Sequence, residues 1–395
     1  MDILILTNFR ADLSITDNNR FVYLSKQLAR FHKVELVTSD FWHGRKQHSE
    51  SLPKEWSFKV TFIHEPGYKK NVCFKRFISH YIWGRNVKRY LKTRKKPDVV
   101  YCAVPSLTAS SLAAKYCRKN KVRFIIDIQD LWPEAFRMVF HVPLISNLIY
   151  KPFECIVNGI YRRADEICGV SQTYVDRALS INRRCKKGYC VFLGTRLETF
   201  DENVKNCNLQ IEKENLLWLV YCGTLGSSYD LTCVFDALDM VRKRGVKVPK
   251  FLIMGTGPKK MEFERYASER QVDAKFTGMI PYDTMCGLLA GCDIAVNPIT
   301  HGAAQSIINK HADYAAAGLP VLNTQECPEY AQLVNEYKMG FNCENGNASD
   351  LADRMIQLIS DSKLRKYMGE NARKCAEECF DRGNSYKKLM DLITG

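Results

Sequence analysis

The most chemically informative part of the sequence runs from Gln305 to Val321, where polar and charged side chains precede an alanine-rich segment. This pattern predicts a loop, a helix that begins near Ser306, a glycine stop at Gly318 and a strand. The first turn of a helix presents free backbone N–H groups, and Lys310 adds a positive charge close to them. Together they predict a pyrophosphate site; the alternative is a surface helix that Ser306 merely caps.

Two glycine turns each follow a predicted strand in the second half of the chain. Gly223-Thr224-Leu225-Gly226 follows the strand at 216–222, and Gly255-Thr256-Gly257 follows the strand at 250–254. Glycine lets the backbone approach a phosphate closely, although a plain tight turn explains the second pattern equally well. His301, in a later loop, is a further candidate for contact with the ligand.

In the first half, Asp127–Glu134 follows a predicted strand at 123–127. The carboxyl ends of parallel strands are where such sheets bind ligands. Gln129 and Asp130 are therefore candidate residues of a site at this strand end. The alternative is that Asp130 caps the next helix.

These candidates need two parallel sheets to position them. Strand and helix patterns alternate along residues 1–195 and again along 196–375, with a polar stretch at 194–215 between them that is typical of a linker. We expect two doubly wound, Rossmann-like α/β domains that face each other across a cleft. Residues 376–395 would form a final helix that packs back on the first domain.

A strongly basic segment lies between Glu65 and Asp98, where no acidic residue occurs. Its apolar residues recur at the spacing of one helix face, so it predicts a basic helix with an aromatic face that contacts an anionic membrane surface. The alternatives are a solvated helix whose aromatic face is core, and nucleic-acid binding. The candidate acceptor or membrane residues in this segment are Lys75, Arg76, Trp83, Arg85, Lys88 and Arg89.

Composition narrows the function classes. The chain has 395 residues, 46% of them hydrophobic, and a net charge of +15. It has no apolar run of membrane-spanning length and no signal-peptide pattern, and its 16 cysteines show no zinc-finger spacing. We expect reduced thiols and a cytoplasmic protein, peripheral on the cytoplasmic face of the membrane. Nucleic acid is an unlikely partner because RRM, KH and zinc-finger signatures are all missing.

The motifs, in this order, resemble those of the large retaining GT-B glycosyltransferase family usually numbered four. Ser306-x-x-Asn309-Lys310 and the Asp-Leu-Trp-Pro run that begins at Asp130 resemble the branch of bacterial capsule and O-antigen transferases. Gln305 and Asp313 occupy the positions of two family glutamates, which contact the transferred sugar and the donor ribose. The donor-binding residues that the resemblance implies are Gly223, Thr224, Leu225, Gly226, Gly255, Gly257, Met279, Ile280, His301, Gly302, Gln305, Ser306, Ile307, Asn309, Lys310 and Asp313.

The resemblance implies GT-B architecture, with residues 1–195 binding the acceptor and residues 196–375 the nucleotide-sugar donor. It implies transfer of a hexosyl or related sugar, with retention, from a nucleotide diphosphate, UDP being favoured. Gln129 and Asp130 are then the candidate catalytic residues, with Asp130 orienting the acceptor hydroxyl or the donor sugar. The acceptor would be a lipid-diphosphate-linked saccharide at the inner membrane, in capsule, O-antigen or exopolysaccharide synthesis. No Asp-x-Asp triplet occurs, so we expect no cofactor and no metal in the reaction. Family members carry Arg and Lys after the first glycine turn, where this chain has Ser227 and Ser228. The alternatives are a GT-B nucleotide-sugar epimerase and a basic nucleic-acid-binding protein.

Overall fold

The computed structural model describes residues 1–10, 13, 19–49, 55–70, 73–134, 145–209, 211, 216–303 and 306–395. The chain forms two compact units. Unit 1 comprises Met1–Val191 together with Tyr386–Gly395, and unit 2 comprises Phe192–Ser385. Each unit is built on a parallel sheet, as the alternation of strands and helices predicts.

A parallel sheet forms the centre of unit 1. The strands of this unit are β1 (Asp2–Leu6), β2 (Lys33–Ser39), β3 (Phe41–Trp42), β4 (Gln47–His48), β5 (Lys59–Ile63), β6 (Val99–Val104), β7 (Arg123–Ile128), β8 (Glu166–Gly169) and β9 (Gly188–Cys190). Seven of them lie in the order β5-β2-β1-β6-β7-β8-β9, while β3 and β4 form a separate antiparallel hairpin. The strand order reverses between β1 and β6, and such a switch point is where doubly wound sheets bind ligands.

Helices flank this sheet and explain why its strands are apolar on both faces. They are α1 (Arg20–Leu28), α2 (Phe74–Thr93), α3 (Leu107–Asn120), α4 (Ile145–Tyr161) and α5 (Gln172–Leu179). Ile3, Leu4 and Ile5 of β1 are all buried, as expected for a parallel strand covered on both sides.

Unit 2 repeats the plan with a six-stranded sheet. Its strands are β10 (Trp218–Cys222), β11 (Lys250–Met254), β12 (Ala274–Gly278), β13 (Ile294–Asn297), β14 (Val321–Asn323) and β15 (Gly340–Asn342), in the order β12-β11-β10-β13-β14-β15. Its helices are α6 (Leu197–Asn206), α7 (Leu231–Lys243), α8 (Lys260–Glu269), α9 (Tyr282–Gly291), α10 (Asn309–Ala316), α11 (Pro328–Tyr337), α12 (Ala348–Ser360), α13 (Ser362–Cys375), a π-helical turn (Ala376–Phe380) and α14 (Arg382–Ser385).

The last helix, α15 (Lys387–Thr394), belongs to unit 1. Leu389 and Ile393 are buried in the core of that unit, and the ring of Tyr386 contacts the ring of Tyr23 edge-on. Arg123 of β7 donates a hydrogen bond to the Ile393 carbonyl at 3.0 Å. The chain therefore ends in the unit in which it begins.

The prediction of a linker across residues 194–215 is wrong in its first part, because α6 occupies Leu197–Asn206. Leu197 and Phe200 are buried and Val204 is partly buried against the core of unit 2. Their spacing of three and four residues marks one helix face, which the surrounding Asn, Glu and Lys residues obscure in the sequence.

The helix expected near Ser306 begins instead at Asn309. Ile307 is buried in the core of unit 2, and Ile308 has an extended backbone, so the helix starts after these residues. The backbone N–H of Ile308 donates to Nδ1 of His311 at 2.9 Å. The imidazole of His311 thus satisfies a backbone donor at the helix start, and Ser306 does not cap this helix.

A buried ion pair joins the elements of unit 1 at the carboxyl edge of its sheet. Nε of Arg20 lies 2.7 Å from Oδ2 of Asp127, and both side chains are buried. Arg20 also donates to the Val191 carbonyl, while the Tyr101 hydroxyl donates to Asp127. The guanidinium is stacked on the ring of Tyr386. Arg20 therefore links α1, β7 and the C-terminal segment.

Candidate functional site

The two glycine turns of unit 2 pack against each other at the carboxyl ends of β10 and β11. The N–H of Gly223 donates to the Met254 carbonyl at 2.9 Å. An added Cβ would lie 1.8 Å from the Gly223 carbonyl oxygen if placed on Gly255, and 2.2 Å from the Leu225 carbonyl oxygen if placed on Gly257. These two positions therefore exclude any side chain, because backbone approaches backbone there.

A cavity of about 250 Å³ lies beside these turns. Three strand ends supply its walls: β10, β11 and β12. Met279 is 81% exposed and Ile280 is partly buried beside it. The lining residues are Cys222, Gly223, Thr224, Met254, Gly255, Thr256, Gly278, Met279, Ile280 and Met285.

Lys310 lies buried against the first glycine turn. Its Nζ is 4.2 Å from the ring centroid of Tyr221 and 3.9 Å from that of Tyr229. Nζ has no hydrogen-bond partner within the part of the chain that the structure describes. Burial lowers the pKa of this ammonium to about 7. A Cβ on Gly223 would lie 2.8 Å from Nζ, so the cation sits directly behind the turn.

Asp313, one turn further along α10, is also buried. Its Oδ1 accepts a hydrogen bond from the Tyr282 hydroxyl at 2.9 Å, and that hydroxyl is 2.7 Å from Oγ1 of Thr195. Burial raises the pKa of the Asp313 carboxyl to about 6. The carboxylate predicted to contact ribose thus already has a tyrosine as its neighbour.

The loop after β13 is buried where it begins and exposed at His301 and Gly302. His301 is 83% exposed, and its Nδ1 is 2.8 Å from Oε1 of Glu326. The same carboxylate accepts the N–H of Gly302 at 3.1 Å. Gln305, the predicted sugar contact, lies outside the described residues.

The remaining residues that were predicted to bind the sugar donor differ in their burial. Leu225 and Ile307 are core side chains, so only their backbones are available to a ligand. Ser306 is buried, and its carbonyl accepts from Nε2 of Gln325. Thr224 and Asn309 are exposed, while Gly226 is partly exposed.

Unit 1 has its own cavity, of about 330 Å³, at the switch point between β1 and β6. Segments that follow β1, β6 and β7 line it, together with Asn19 and Phe21 at the start of α1 and Arg76 of α2. Its location is therefore the one that the doubly wound topology favours. The strand-end residues around it are Thr7, Asn8, Phe9, Ala103, Val104, Pro105, Ser106, Gln129, Asp130 and Trp132.

Both predicted catalytic residues line this cavity. Asp130 accepts hydrogen bonds from its neighbour's N–H at 2.9 Å and from Nε1 of Trp132 at 3.1 Å, and burial raises the pKa of its carboxyl. Nε2 of Gln129 is buried and has no hydrogen-bond partner among the described residues. The guanidinium of Arg76 lies over the ring of Trp132 at 4.9 Å. The cavity thus combines a carboxylate, an amide donor and a cation.

Helix α2 carries the basic segment. The burial of one of its side chains, Trp83, contradicts a prediction. Trp83 is fully buried, so its predicted contact with a membrane or acceptor is wrong. It lies on the face that also buries Val87 and Leu91, and helical spacing alone cannot tell which of two apolar faces points inward. Lys75, Arg85 and Arg89 are exposed, whereas Lys88 is partly buried.

A second face of α2 leaves large apolar side chains exposed. Within the described part of the chain, none of the helices combines the length and apolar character needed to cross a bilayer. The exposed apolar residues of α2, named here the α2 aromatic face, are Phe74 (78% exposed), Phe77 (37%), Ile78 (45%) and Tyr81 (52%).

Several residues of the unit 2 site carry no recognisable sequence signal. Tyr229 and Tyr282 contact Lys310 and Asp313 from other elements, across sequence separations of 81 and 31 residues. Nε2 of His311 lies 2.9 Å from Nδ2 of Asn297, in a fully buried network. Burial lowers the pKa of His311 to about 3, so this imidazole is neutral.

Comparison with known proteins gives the fold and the class of the second half. The family model described as Glycosyl transferases group 1 matches residues 205–375. The protein HepE of Anabaena, in a crystal structure with UDP, superposes with a TM-score of 0.72 at 14% identity, covering 100% of each chain. With the two parallel-sheet units, this likeness shows the GT-B fold and confirms the predicted fold class. The family match supports the predicted glycosyltransferase class.

Curated relatives match at lower coverage. N-acetyl-alpha-D-glucosaminyl L-malate synthase of Bacillus anthracis is 25% identical over 131 residues, 33% of each chain. Sulfoquinovosyl transferase SQD2 of Arabidopsis thaliana is 20% identical over 296 residues, 72% of this chain and 54% of that protein. The chain therefore spans about a third and about half of the lengths of these relatives.

The packing of the glycine turns predicts a large difference between two glycine substitutions. Gly255 and Gly245 both have positive φ, but a Cβ on Gly245 meets nothing within 4 Å. Gly255→Ala should lower the free energy of unfolding by about 1–3 kcal/mol more than Gly245→Ala, because the new methyl overlaps the Gly223 carbonyl. Urea denaturation of both variants measures the difference. Equal losses would show that the turns are loosely packed.

Proposed function

We propose that this protein is a retaining, metal-independent glycosyltransferase that moves a hexosyl or related sugar from a nucleotide diphosphate, with UDP favoured. The observation that carries the proposal is the buried ammonium of Lys310 behind the Gly223 turn, which has no hydrogen-bond partner among the described residues and lies within a glycosyl transferases group 1 match. A buried cation without a counter-ion is costly, and an anionic ligand at the turn would offset that cost.

The donor diphosphate binds at the Gly223 turn in this proposal. Gly223 carries no Cβ between the turn and Nζ of Lys310, so a phosphate there approaches the backbone of the turn and the cation. The N-terminus of α10 adds a favourable dipole. Lys310 thereby takes the place of the Arg and Lys that relatives carry where this chain has Ser227 and Ser228.

The rest of the nucleotide occupies the cavity beside the turns. The base lies against the backbone of Met279 and Ile280, and the ribose hydroxyls interact with Asp313 and Tyr282. UDP is favoured because HepE, whose fold this chain shares, is described in complex with UDP. Gln305, His301 and Gly302 are the proposed contacts of the transferred sugar.

The reaction uses electrostatic stabilisation of the leaving group. Charge develops on the β-phosphate as the glycosidic bond breaks, and Lys310 with the backbone N–H groups stabilises it. The acceptor hydroxyl attacks from the leaving-group side, which yields retention of the anomeric configuration. The β-phosphate accepts the proton of that hydroxyl. Divalent metal is not needed in this scheme, since the chain lacks an Asp-x-Asp triplet and supplies a cation of its own.

The cavity of unit 1 takes the acceptor. Asp130 is oriented by two hydrogen bonds and accepts the acceptor hydroxyl, while Gln129 offers a buried N–H donor to a sugar oxygen. Arg76 adds a positive charge for a phosphate of a lipid-diphosphate-linked saccharide. The reaction then belongs to capsule, O-antigen or exopolysaccharide synthesis at the cytoplasmic face of the membrane.

The first test is thermal stability with UDP, GDP, ADP and CMP, each without metal and then with EDTA. UDP at 100 times its dissociation constant should stabilise the protein by about 2.7 kcal/mol, which raises the melting temperature. The shift should survive EDTA and disappear in Lys310→Ala. Lys363→Ala, at an exposed lysine of the same unit, is the control and should keep the shift.

Product analysis distinguishes transfer from the alternatives. Free UDP together with a glycosylated lipid of retained anomeric configuration is the expected result. An epimerised nucleotide sugar would replace the proposal with an epimerase. Absence of any nucleotide shift in the wild type would remove the proposed donor site and direct attention to nucleic-acid binding.

The pH dependence of UDP affinity follows from Lys310. The pKa of its ammonium is about 7 in the free protein, and a bound diphosphate favours the charged form. Above about pH 7.5, binding must therefore take up a proton, so affinity should fall about tenfold per pH unit until the pKa of the bound state is reached. Isothermal titration between about pH 7 and pH 9 measures this slope.

Lys310→Arg is the matched variant, because a guanidinium stays charged throughout this range. It should bind UDP with an affinity that is nearly constant with pH. An equal slope in the variant and the wild type would assign the titration to another group.

Membrane contact should depend on the exposed cations of α2. Changing Lys75, Arg85 and Arg89 together to glutamate should weaken binding to vesicles that contain phosphatidylserine by more than about 100-fold, since each basic residue near an anionic surface contributes about 1 kcal/mol. Vesicle sedimentation measures the partition coefficient.

The control for this experiment reverses the charge of three exposed lysines of unit 2, Lys205, Lys275 and Lys363. This variant has the same net charge as the α2 variant and should bind vesicles nearly as the wild type does. Equal losses in both variants would mean that total charge, and not α2, governs the interaction.

A further inference from the structure

Three side chains with metal-binding chemistry converge at one corner of unit 1. Asp40, His48 and His64 each offer one ligand atom, and these atoms all lie within 4.8 Å of one another. Oδ2 of Asp40 is 2.7 Å from Nδ1 of His64, and Oδ1 is 3.4 Å from Nδ1 of His48. Two ligands of a tetrahedral Zn²⁺ are separated by about 3.3 Å, given bond lengths near 2.0–2.1 Å.

The fold itself brings the three residues together. Strands β2 and β5 pair in parallel with Ser39 opposite Ile63, so the next residue of each strand, Asp40 and His64, emerges at the same sheet edge. The β3–β4 hairpin pairs Phe41 with His48, which returns the chain beside Asp40. The convergence therefore follows from strand register and not from one flexible side chain.

Neighbouring groups already orient the ligands. The backbone N–H of Glu65 donates to Oδ1 of Asp40 at 2.8 Å and fixes the carboxylate. Nε2 of His48 lies 3.4 Å from the Pro66 carbonyl, and Nδ1 of the same ring faces Asp40. The rings of His48 and His64 are stacked with 20° between their planes. Outer-shell partners of this kind are what metal-binding histidines usually have.

The accessibility of the corner also suits a metal ion. Asp40 is nearly buried, whereas the side chains of His48 and His64 are 44% and 64% exposed. The carboxylate is thus desolvated and favours a cation, while the two imidazoles can adjust by the small movement that closes the coordination. Nitrogen and oxygen ligands with an open fourth position are typical of zinc.

We propose that Asp40, His48 and His64 form a zinc-binding site that clamps the β3–β4 hairpin to the end of β5. Zn²⁺ binds Nδ1 of both histidines and one oxygen of Asp40, with water as the fourth ligand. Coordination of the metal replaces the contact between Nδ1 of His64 and Oδ2 of Asp40. This site is in unit 1 and is independent of the proposed donor chemistry in unit 2, which needs no metal.

The test uses the full chain without a histidine tag, first dialysed against a chelator. Titration with Zn²⁺ against a chromophoric chelator should show one saturable site per chain. His48→Gln and His64→Gln should each weaken binding by at least about tenfold. Co²⁺ should give the visible absorption of a four-coordinate site in the wild type and lose it in both variants.

His32→Gln is the control. His32 is a partly buried histidine of the same unit and lies outside the cluster. This variant should bind Zn²⁺ as the wild type does. Asp40→Asn is a third variant of the cluster. If it fails to fold, His48→Gln and His64→Gln decide the outcome, because the side chains of these two histidines are exposed.

Absence of saturable Zn²⁺ binding in the untagged wild type would overturn the proposal. Equal affinity in the wild type, His48→Gln and His64→Gln would also overturn it, and the cluster would then be two histidine–carboxylate ion pairs. The UDP shift is measured on the same samples. Loss of zinc binding with an unchanged UDP shift separates this proposal from the proposed transferase function.

Discussion

The placement of one buried cation, which has no counter-ion among the described residues, governs the proposed donor side of unit 2. Lys310 is held between Tyr221 and Tyr229, whose ring faces are attractive to a cation but replace only part of its lost hydration. The pKa of Lys310 falls to about 7 because burial removes hydration from its charged form. The glycine at position 223 then becomes necessary, since a side chain there would collide with Nζ.

Arg20, the buried cation of unit 1, differs from Lys310 because it has a carboxylate partner. Arg20 is equally buried, but it is paired with Asp127 at 2.7 Å, and its contacts join α1, β7 and the C-terminal segment. A buried cation with a carboxylate partner serves the fold, because its charge is already neutralised. Lys310 has no such partner among the described residues, which is why we assign it to a ligand.

The sequence was sufficient for the two parallel sheets because most of their strands are short and apolar. The cavity at Asp130 follows from the same logic, since strand ends at a switch point meet in space. The sequence could not show the partners of Lys310, because Tyr221 and Tyr229 become its neighbours only through sheet packing. Trp83 was misassigned for a related reason: α2 has two apolar faces, and tertiary packing chooses which one is buried. Helix α6 was missed because its apolar stripe is narrow.

Asp313 illustrates how a shorter side chain changes a site. The family resemblance implies a glutamate at this position, and the aspartate arm is one methylene shorter. In this chain the Tyr282 hydroxyl, itself held by Thr195, donates to the carboxylate at 2.9 Å. The tyrosine therefore fills part of the distance that a longer acid would span. Ribose recognition, as proposed, is then shared between an acceptor on α10 and a hydroxyl on α9. Because the carboxyl has a pKa of about 6, it is mostly ionised at neutral pH and remains an acceptor for ribose hydroxyls.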